Sequence, residues 1–363
     1  MAKGMYIGVD NKARKVKKAY VGVDNVARKV KKMYMGVEGV ARCIFSSEPE
    51  LSYYGTTTAL SASRNLLAAT TIGNYALFGG GFASYDTTTV DAYDTSLTRT
   101  TPTTLSASRY ELAATSVGNY ALFGGGGTSK TTVDAYDTSL TRTTPTELSK
   151  GRGNLAATSV GNYALFGGGI NGYTDVDAYD TSLTRTTPTK LSKGGYGLAA
   201  TSVGNYALFG GGKASSESDY VDAYDTSLTK KTKFLNNSRY ELAATSVGNY
   251  ALFGGGMSTY ADVDAYDTSL TRTTPTKLSV GRCYLAATSV GNYALFGGGG
   301  NGSSSGVKTT VDAYDTSLTR TTPTELSVAR QNLAATSIGN YALFGGGAST
   351  NKYSTVDVYQ VIE

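Results

Sequence analysis

The chain has 363 residues and a formal net charge of +5, with 45 Gly, 28 Tyr, two Cys and neither His nor Trp. This balance of turn and strand formers argues against helical bundles and doubly wound α/β folds. The absence of histidine removes the commonest metal ligand and the usual proton carrier near neutral pH, so most hydrolase mechanisms lose their base.

Residues 1–45 carry 11 Lys or Arg against 3 Asp or Glu, a net of +8, whereas the remainder carries 22 against 25, a net of −3. The head of the chain is therefore the basic part. It is built on a short repeat: Tyr6-Ile7-Gly8-Val9-Asp10-Asn11 returns as Tyr20-Val21-Gly22-Val23-Asp24-Asn25 and as Tyr34-Met35-Gly36-Val37-Glu38-Gly39. Asp-Asn and Glu-Gly suit tight turns, so each copy is predicted to be a β-hairpin. Three hairpins bury little alone, which suits an attachment or oligomerisation module. Nucleic-acid binding is not expected, because aromatic residues are not interleaved with the basic ones as in the known nucleic-acid folds. There is no apolar signal region and no run of about 18 apolar residues, so neither export nor membrane insertion is expected. Residues 46–52, with Pro49, read as a linker. Cys43 and Cys283 lie in segments of different character, and no disulfide framework is read from them.

From residue 53 to 363 the segment LAATSVGNYALFGGG recurs seven times with small changes, beginning at Leu67, Leu112, Leu155, Leu198, Leu242, Leu285 and Leu333. A period of roughly 40 to 50 residues with glycine punctuation marks propeller blades, each a four-stranded sheet. In one unit the predicted strands are Leu112 to Val117, Tyr120 to Phe123, Val133 to Tyr136 and Thr141 to Leu148. The last contains Pro145, and since proline lacks a ladder donor it places that strand outermost. The seventh unit ends after its third strand. Tyr54 to Arg64 resembles a fourth-strand segment and precedes the first LAAT, so the leading strand is predicted to complete the last blade and close the ring. The fold class expected is all-β, a seven-bladed propeller preceded by a small hairpin-repeat module.

The order of Arg109, the double glycine Gly124-Gly125 and Tyr136-Asp137, repeated as Arg239, Gly254-Gly255 and Tyr266-Asp267, resembles the kelch repeat over residues 51–363. The tryptophan usual in the kelch outer strand is replaced here by Leu-Thr-Arg-Thr. The short basic repeats of residues 1–45 are similar to segments heading phage and prophage tail-associated proteins of Gram-positive bacteria.

The units differ in two places. One is the loop after GGG, such as Phe82 to Thr88 or Gly300 to Thr310. The other is the link into the next blade: Asn65-Leu66, Tyr110-Glu111, Gly153-Asn154, Tyr196-Gly197, Tyr240-Glu241, Cys283-Tyr284 and Gln331-Asn332. Alternation of strand direction puts both on one face, and the nearly unvarying turns SVGN and YDTSLT on the other. Loops on a rigid scaffold carry binding residues, and a composition rich in Tyr, Asn, Ser and Gly suits contact with a ligand.

The candidate binding residues are therefore Arg64, Arg109, Arg152, Arg239, Arg282 and Arg330, at one equivalent position with Gly195 in the seventh unit, together with Tyr110, Tyr196, Tyr240, Tyr284, Asn154 and Asn332. Arginines ringing the pore would favour a carboxylate or other anionic group. The competing reading is that each braces the blades against a carbonyl or a carboxylate such as Glu111 or Glu241. The recurrent Asp of VDAYD reads as an internal tie rather than a catalytic set. No catalytic residue, metal ligand or cofactor is assigned, and no enzyme is expected. A docking module followed by a disc with one diversified face suggests a virion protein, made in the host cytoplasm, that recognises a glycan or protein on a bacterial surface. Residues 1–45 would meet other virion proteins or further copies of the chain. An intracellular kelch-like adaptor for an acidic peptide and a glycan-processing enzyme are the alternatives.

Overall fold

The computed structural model describes residues 6–9, 12–16, 19–23, 26–30, 32–37, 40–46, 49–257 and 260–362. It separates into two compact units, one of residues 1–52 with 361–363 and one spanning Tyr53–Gln360. In the first unit three antiparallel hairpins follow one another: Tyr6–Val9 with Lys12–Lys15, Ala19–Val23 with Val26–Val30, and Lys32–Val37 with Val40–Ser46. The expected turn residues Asp10-Asn11, Asp24-Asn25 and Glu38-Gly39 lie outside the described residues. No helix among the described residues is long and apolar enough to cross a membrane.

The second unit is a seven-bladed propeller. In blade 2, Ala113–Val117, Tyr120–Gly124, Val133–Asp137 and Arg142–Thr143 pair in succession, and the other blades repeat this order. The middle strands read as near-continuous apolar runs, Ala-Leu-Phe and Val-Asp-Ala-Tyr, because sheets of neighbouring blades cover both their faces. The innermost strand alternates buried and half-buried residues, as its period of two requires. The innermost strands of successive blades pack side by side in a circle, and Ala334–Ile338 of blade 7 meets Ala68–Ile72 of blade 1. The hydroxyls of Thr71 and Thr336 share a 2.7 Å hydrogen bond across that seam.

Blade 7 is completed by the leading end of the chain, in the order Ala334–Ile338, Tyr341–Gly345, Val356–Ile362, Glu50–Thr56. The Tyr53 hydroxyl donates to Asp357 Oδ1 at 2.6 Å, and its ring lies 5.2 Å from that of Tyr359. The closing strand starts earlier than Tyr54, so Glu50 to Ser52, read from sequence as linker, belong to it.

The outer strands are shorter than expected. In blades 1, 2, 3, 5 and 6 they consist of Arg-Thr alone, and Pro145 and its equivalents fall beyond the ladder. Blade 4 supplies the reason. There Lys233 stands at the proline position, and Lys230–Phe234 pairs over five residues with Tyr220–Asp225. Proline removes the donor and ends the pairing.

Two packing devices close the circle. The phenylalanine of each YALF lies against the glycine that ends the same strand in the preceding blade: an added Cβ at Gly79 would come within 2.6 Å of the Phe123 ring, and one at Gly345 within 2.7 Å of Phe78. Glycine alone leaves room for the ring. Each DAYD tyrosine is buried edge-on to that phenylalanine, as in Phe78–Tyr93 at 5.9 Å, and donates its hydroxyl to a backbone carbonyl, as Tyr136 does to Thr103 at 2.7 Å.

The constant turns are structural. Asp94 Oδ1 accepts the amides of Ser96 and Thr98, at 2.8 and 2.9 Å, and Leu97 sits at φ 61°. That left-handed conformation costs a non-glycine residue about 1–2 kcal/mol. Burial of Leu97 in the cluster that contains Ile338 of blade 7 offsets it. The variable loops and links meet on the opposite face, where Phe82 and Asn65 exchange backbone hydrogen bonds and Cys283 does the same with Gly300. Replacing Gly124 by alanine, whose Cβ would lie 2.7 Å from the Phe166 ring, is expected to cost about 1–3 kcal/mol, read as a lower midpoint in urea unfolding.

Candidate functional site

The six arginines do not ring the pore. Arg64, Arg109, Arg152, Arg239, Arg282 and Arg330 are fully buried, and each forms an ion pair with the VDAYD aspartate of its blade. Arg64 reaches Asp91 at 2.7 Å and also donates to the Phe78 carbonyl at 3.2 Å. Asp91 further accepts from Arg99 at 3.1 Å and from the Ser61 amide at 3.0 Å. A buried charge is tolerated when it is paired and its remaining valences are filled, and this aspartate is surrounded by donors. The bracing alternative is thus the correct one, with the strand aspartate as partner rather than Glu111 or Glu241. In blade 4, Gly195 has no side chain to offer. The two inner strands run on to pair Tyr196 with Lys213, and a Cβ at Gly195 would lie 2.6 Å from the Lys213 backbone. Asp222 takes Ser192 and Thr232 hydroxyls instead, at 2.7 and 2.8 Å.

What lines the axis is the second residue of each link. Leu66, Glu111, Asn154, Glu241, Tyr284 and Asn332 all have φ between 50° and 56°, and Gly197 has 65°. The amide of each donates to the carbonyl of its equivalent in the preceding blade: Glu111 to Leu66, Asn154 to Glu111, Gly197 to Asn154, Glu241 to Gly197, Tyr284 to Glu241, Asn332 to Tyr284, and Leu66 back to Asn332, at 2.6–3.3 Å. A ring of seven backbone hydrogen bonds therefore encircles the axis. The left-handed conformation turns each chain inward, so the side chains at this position differ freely while the ring persists.

These side chains open onto an axial cavity of about 170 Å³, lined also by six of the seven leucines that begin the LAAT strands, Leu67 and Leu112 among them. Two carboxylates, two amides and one phenol face it, and among the described residues that line it none is Lys or Arg. Asn154 Oδ1 accepts the Gly197 amide at 3.0 Å, which directs its Nδ2 to Glu241 Oε1 at 3.2 Å. Glu241 lies over Gly197, where a Cβ would sit 2.8 Å from Oε1. Burial pushes the Glu241 carboxyl up to about 7; the Asn154 hydrogen bond opposes the shift and the nearby charge of Glu111 adds to it. Burial raises Glu111 as well.

Of the twelve residues expected from sequence, Asn154, Asn332 and Tyr284 line this cavity. Tyr110, Tyr196 and Tyr240 occupy the first link position, half-buried on the same face, where Tyr110 packs edge-on to Phe82 and Tyr196 to Tyr240 at 5.8 Å. Lys213 stacks 4.6 Å above the Tyr240 ring. Glu111 and Glu241 were missed as axial groups. The available signal was the recurrence of Asn and Gly at the second link position, since these residues tolerate a positive φ.

Neither a protein-family model nor a curated protein matches the chain. Solved structures do. A fungal alcohol oxidase of the AA5 family, in complex with copper, aligns over 85% of this chain and 76% of its own at 12% identity and a TM-score of 0.67. YjhT aligns over 85% of this chain and 99% of its own at 12% identity and a TM-score of 0.55. At this identity the likeness is one of fold. It nonetheless corrects the expectation that the chain is not an enzyme: the frame is shared with an oxidase, and lack of histidine removes imidazole chemistry without touching carboxylate chemistry. The copper of that neighbour is not carried over, because the mouth offers carboxylate, amide and phenol oxygens and the sequence holds no imidazole.

Two outcomes follow. Arg152→Ala removes the fully buried partner of Asp177, leaving it Ser149 and the partly exposed Arg185, and is expected to cost about 3–5 kcal/mol in urea unfolding, with part recovered when Asp177 is also replaced by leucine. For Glu241, a raised carboxyl favours the folded state at low pH, and that contribution fades as pH climbs from about 4.5 to about 7. The stability of the wild type relative to Glu241→Gln should fall across that window and be level below it, read from melting temperature against pH.

Proposed function

We propose that the chain is a surface-recognition protein whose variable face binds a glycan on a bacterial cell, and that it is carried on a phage or prophage particle. The observation that carries this reading is the convergence of blade-to-blade variation on one face, around an axial mouth framed by an invariant ring of backbone hydrogen bonds. A rigid frame with freely varied side chains is what selection for a ligand needs. Half-buried tyrosines beside the mouth suit sugar faces, and the amides and carboxylates inside it suit hydroxyl groups. The kelch-like repeat pattern is consistent with a ligand on this face. The basic hairpins of residues 1–45 would attach the chain to other virion proteins.

A second reading has its own support. Two carboxylates in one mouth, one with a proton held near neutrality, are the equipment of glycan processing. Release of reducing sugar from wall glycans, lost in Glu241→Gln, is its test.

For recognition, the loops after GGG and the link dipeptides of two blades are exchanged, and adsorption of the full chain to intact cells is measured. Adsorption should fall at least about tenfold, equivalent to about 1.4 kcal/mol, with an unchanged melting temperature, whereas exchange of the constant turns should leave it intact. Unchanged adsorption after the loop exchange rejects the reading.

A further inference from the structure

We infer that the axial mouth is an ammonium-binding subsite, in which Glu111 and Glu241 together receive a protonated amine of the ligand. The inference deepens the recognition reading and rests on it for the kind of molecule that carries the amine, an amino-bearing glycan.

Among the described residues, the mouth lacks a countercharge of its own. The strand aspartates of the propeller are matched: in six blades each has its buried arginine, and Asp222 has Ser192, Thr232 and Lys230. At the mouth two acidic side chains share a cavity lined also by leucines, with no Lys or Arg among the described residues of its lining. Each of the two carboxylates, when ionised, raises the energy of the other, and no cation among those lining residues offsets them. Of the lysines on this face, Lys213 is stacked on the Tyr240 ring and within 3.5 Å of its hydroxyl, and Lys352 is stacked on the Phe82 ring at 4.2 Å.

The rest of the cavity favours the same ligand. The seven ring amides and carbonyls are occupied with one another, so none of these amides is free to receive an anion. The Tyr284 phenol lies in the lining, and an aromatic ring stabilises an adjacent ammonium. The Glu241 carboxylate is positioned rather than loose. Asn154 holds Oε1, the Asn154 amide is itself oriented by the Gly197 amide, and the absence of a side chain at Gly197 gives the carboxylate its place. The volume of about 170 Å³ admits one small group, such as a single amino sugar, rather than a drug-sized molecule of about 300–1,000 Å³.

Protonation supplies the sign. The groups that act on Glu241 electrostatically or by hydrogen bond are Asn154 and Glu111, and Glu241 in turn bears on Cys283 and Tyr284. Burial holds the Cys283 thiol up at about 11 and the Tyr284 phenol higher still. Among these neighbours Glu241 is the group that changes charge near neutrality, and burial raises the Glu111 carboxyl in the same direction. An ammonium favours the ionised carboxylate, so affinity should rise with pH towards and through about 7, and binding below it should release a proton.

The test is calorimetric titration of the full chain with ethanolamine and glucosamine, against glucose and N-acetylglucosamine. The ammonium probes should bind, with proton release at about pH 6.5 seen as a dependence of the heat on buffer ionisation, and the neutral sugars should bind at least about tenfold more weakly. Glu111→Gln and Glu241→Gln should each weaken ethanolamine binding at least about tenfold, and Glu241→Gln should abolish the proton release. Gly197→Ala, which displaces the carboxylate without altering charge, should also weaken it. Equal binding of charged and neutral probes, or no ethanolamine binding at about pH 8, overturns the inference. If cell adsorption survives both Gln substitutions but not the loop exchange, the subsite is wrong and the recognition face stands. If ethanolamine binds as described and adsorption survives the loop exchange, the subsite stands and the recognition reading fails.

Discussion

The architecture depends on a phenylalanine lying where the neighbouring blade has only a glycine hydrogen. Because the seven contacts run in one direction round the axis, from Phe123 on Gly79 to Phe78 on Gly345, each blade fixes the tilt of the next and the last must meet the first. A buried phenylalanine contributes about 1.5–3 kcal/mol through area alone, so the circle is held by many equal contacts and no blade can drift without opening a gap. The borrowed strand Glu50–Thr56 belongs to the same constraint: an unfilled edge in blade 7 would leave a ladder open where every other blade is complete.

That frame also decides where charge goes. In blades 1, 2, 3, 5 and 6 an inner and an outer arginine converge on one aspartate, and in blade 7 Arg330 meets Asp357, so the inner arginines point into the sheets and away from the axis. The side chains that do reach the axis include two glutamates and no compensating cation. The acidity of the mouth thus follows from the way the blades are braced, together with the few residues at which the links differ. Blade 4 shows the balance from the other side. With Gly195 in place of arginine, its strands extend, its aspartate turns to hydroxyls, and Gly197 vacates the space that the Glu241 carboxylate occupies.

The division of the two faces has a physical origin as well. On one face, Asp94 and its equivalents bind two amides and place a leucine in a left-handed turn that must bury itself in the neighbouring blade, so substitution there disturbs stability. On the other, the ring of backbone hydrogen bonds asks nothing of the side chain except tolerance of a positive φ. Variation can accumulate there at small energetic cost, and it is on that side that leucine, glutamate, asparagine, glycine and tyrosine replace one another at one position.

The blade count, the strand order, the borrowed closing strand and the side on which variation gathers were all legible from repeat spacing, because a period of roughly 40 to 50 residues with glycine punctuation admits few architectures. Strand length was less legible: Pro145 marked the outer strand, yet only the pairing of Lys233 in blade 4 shows that proline terminates it. The direction of the arginine side chains was not readable at all. Six arginines at one phase of a repeat look alike whether they face a pore or an aspartate two strands further on, since the deciding quantity is the distance between Arg64 and Asp91 across a folded sheet. For the same reason Glu111 and Glu241, in the links that lead into blades 2 and 5, become neighbours only when the circle closes. Local pattern determined which residues form strands and turns; long-range closure decided which charges are paired and which are left facing the axis.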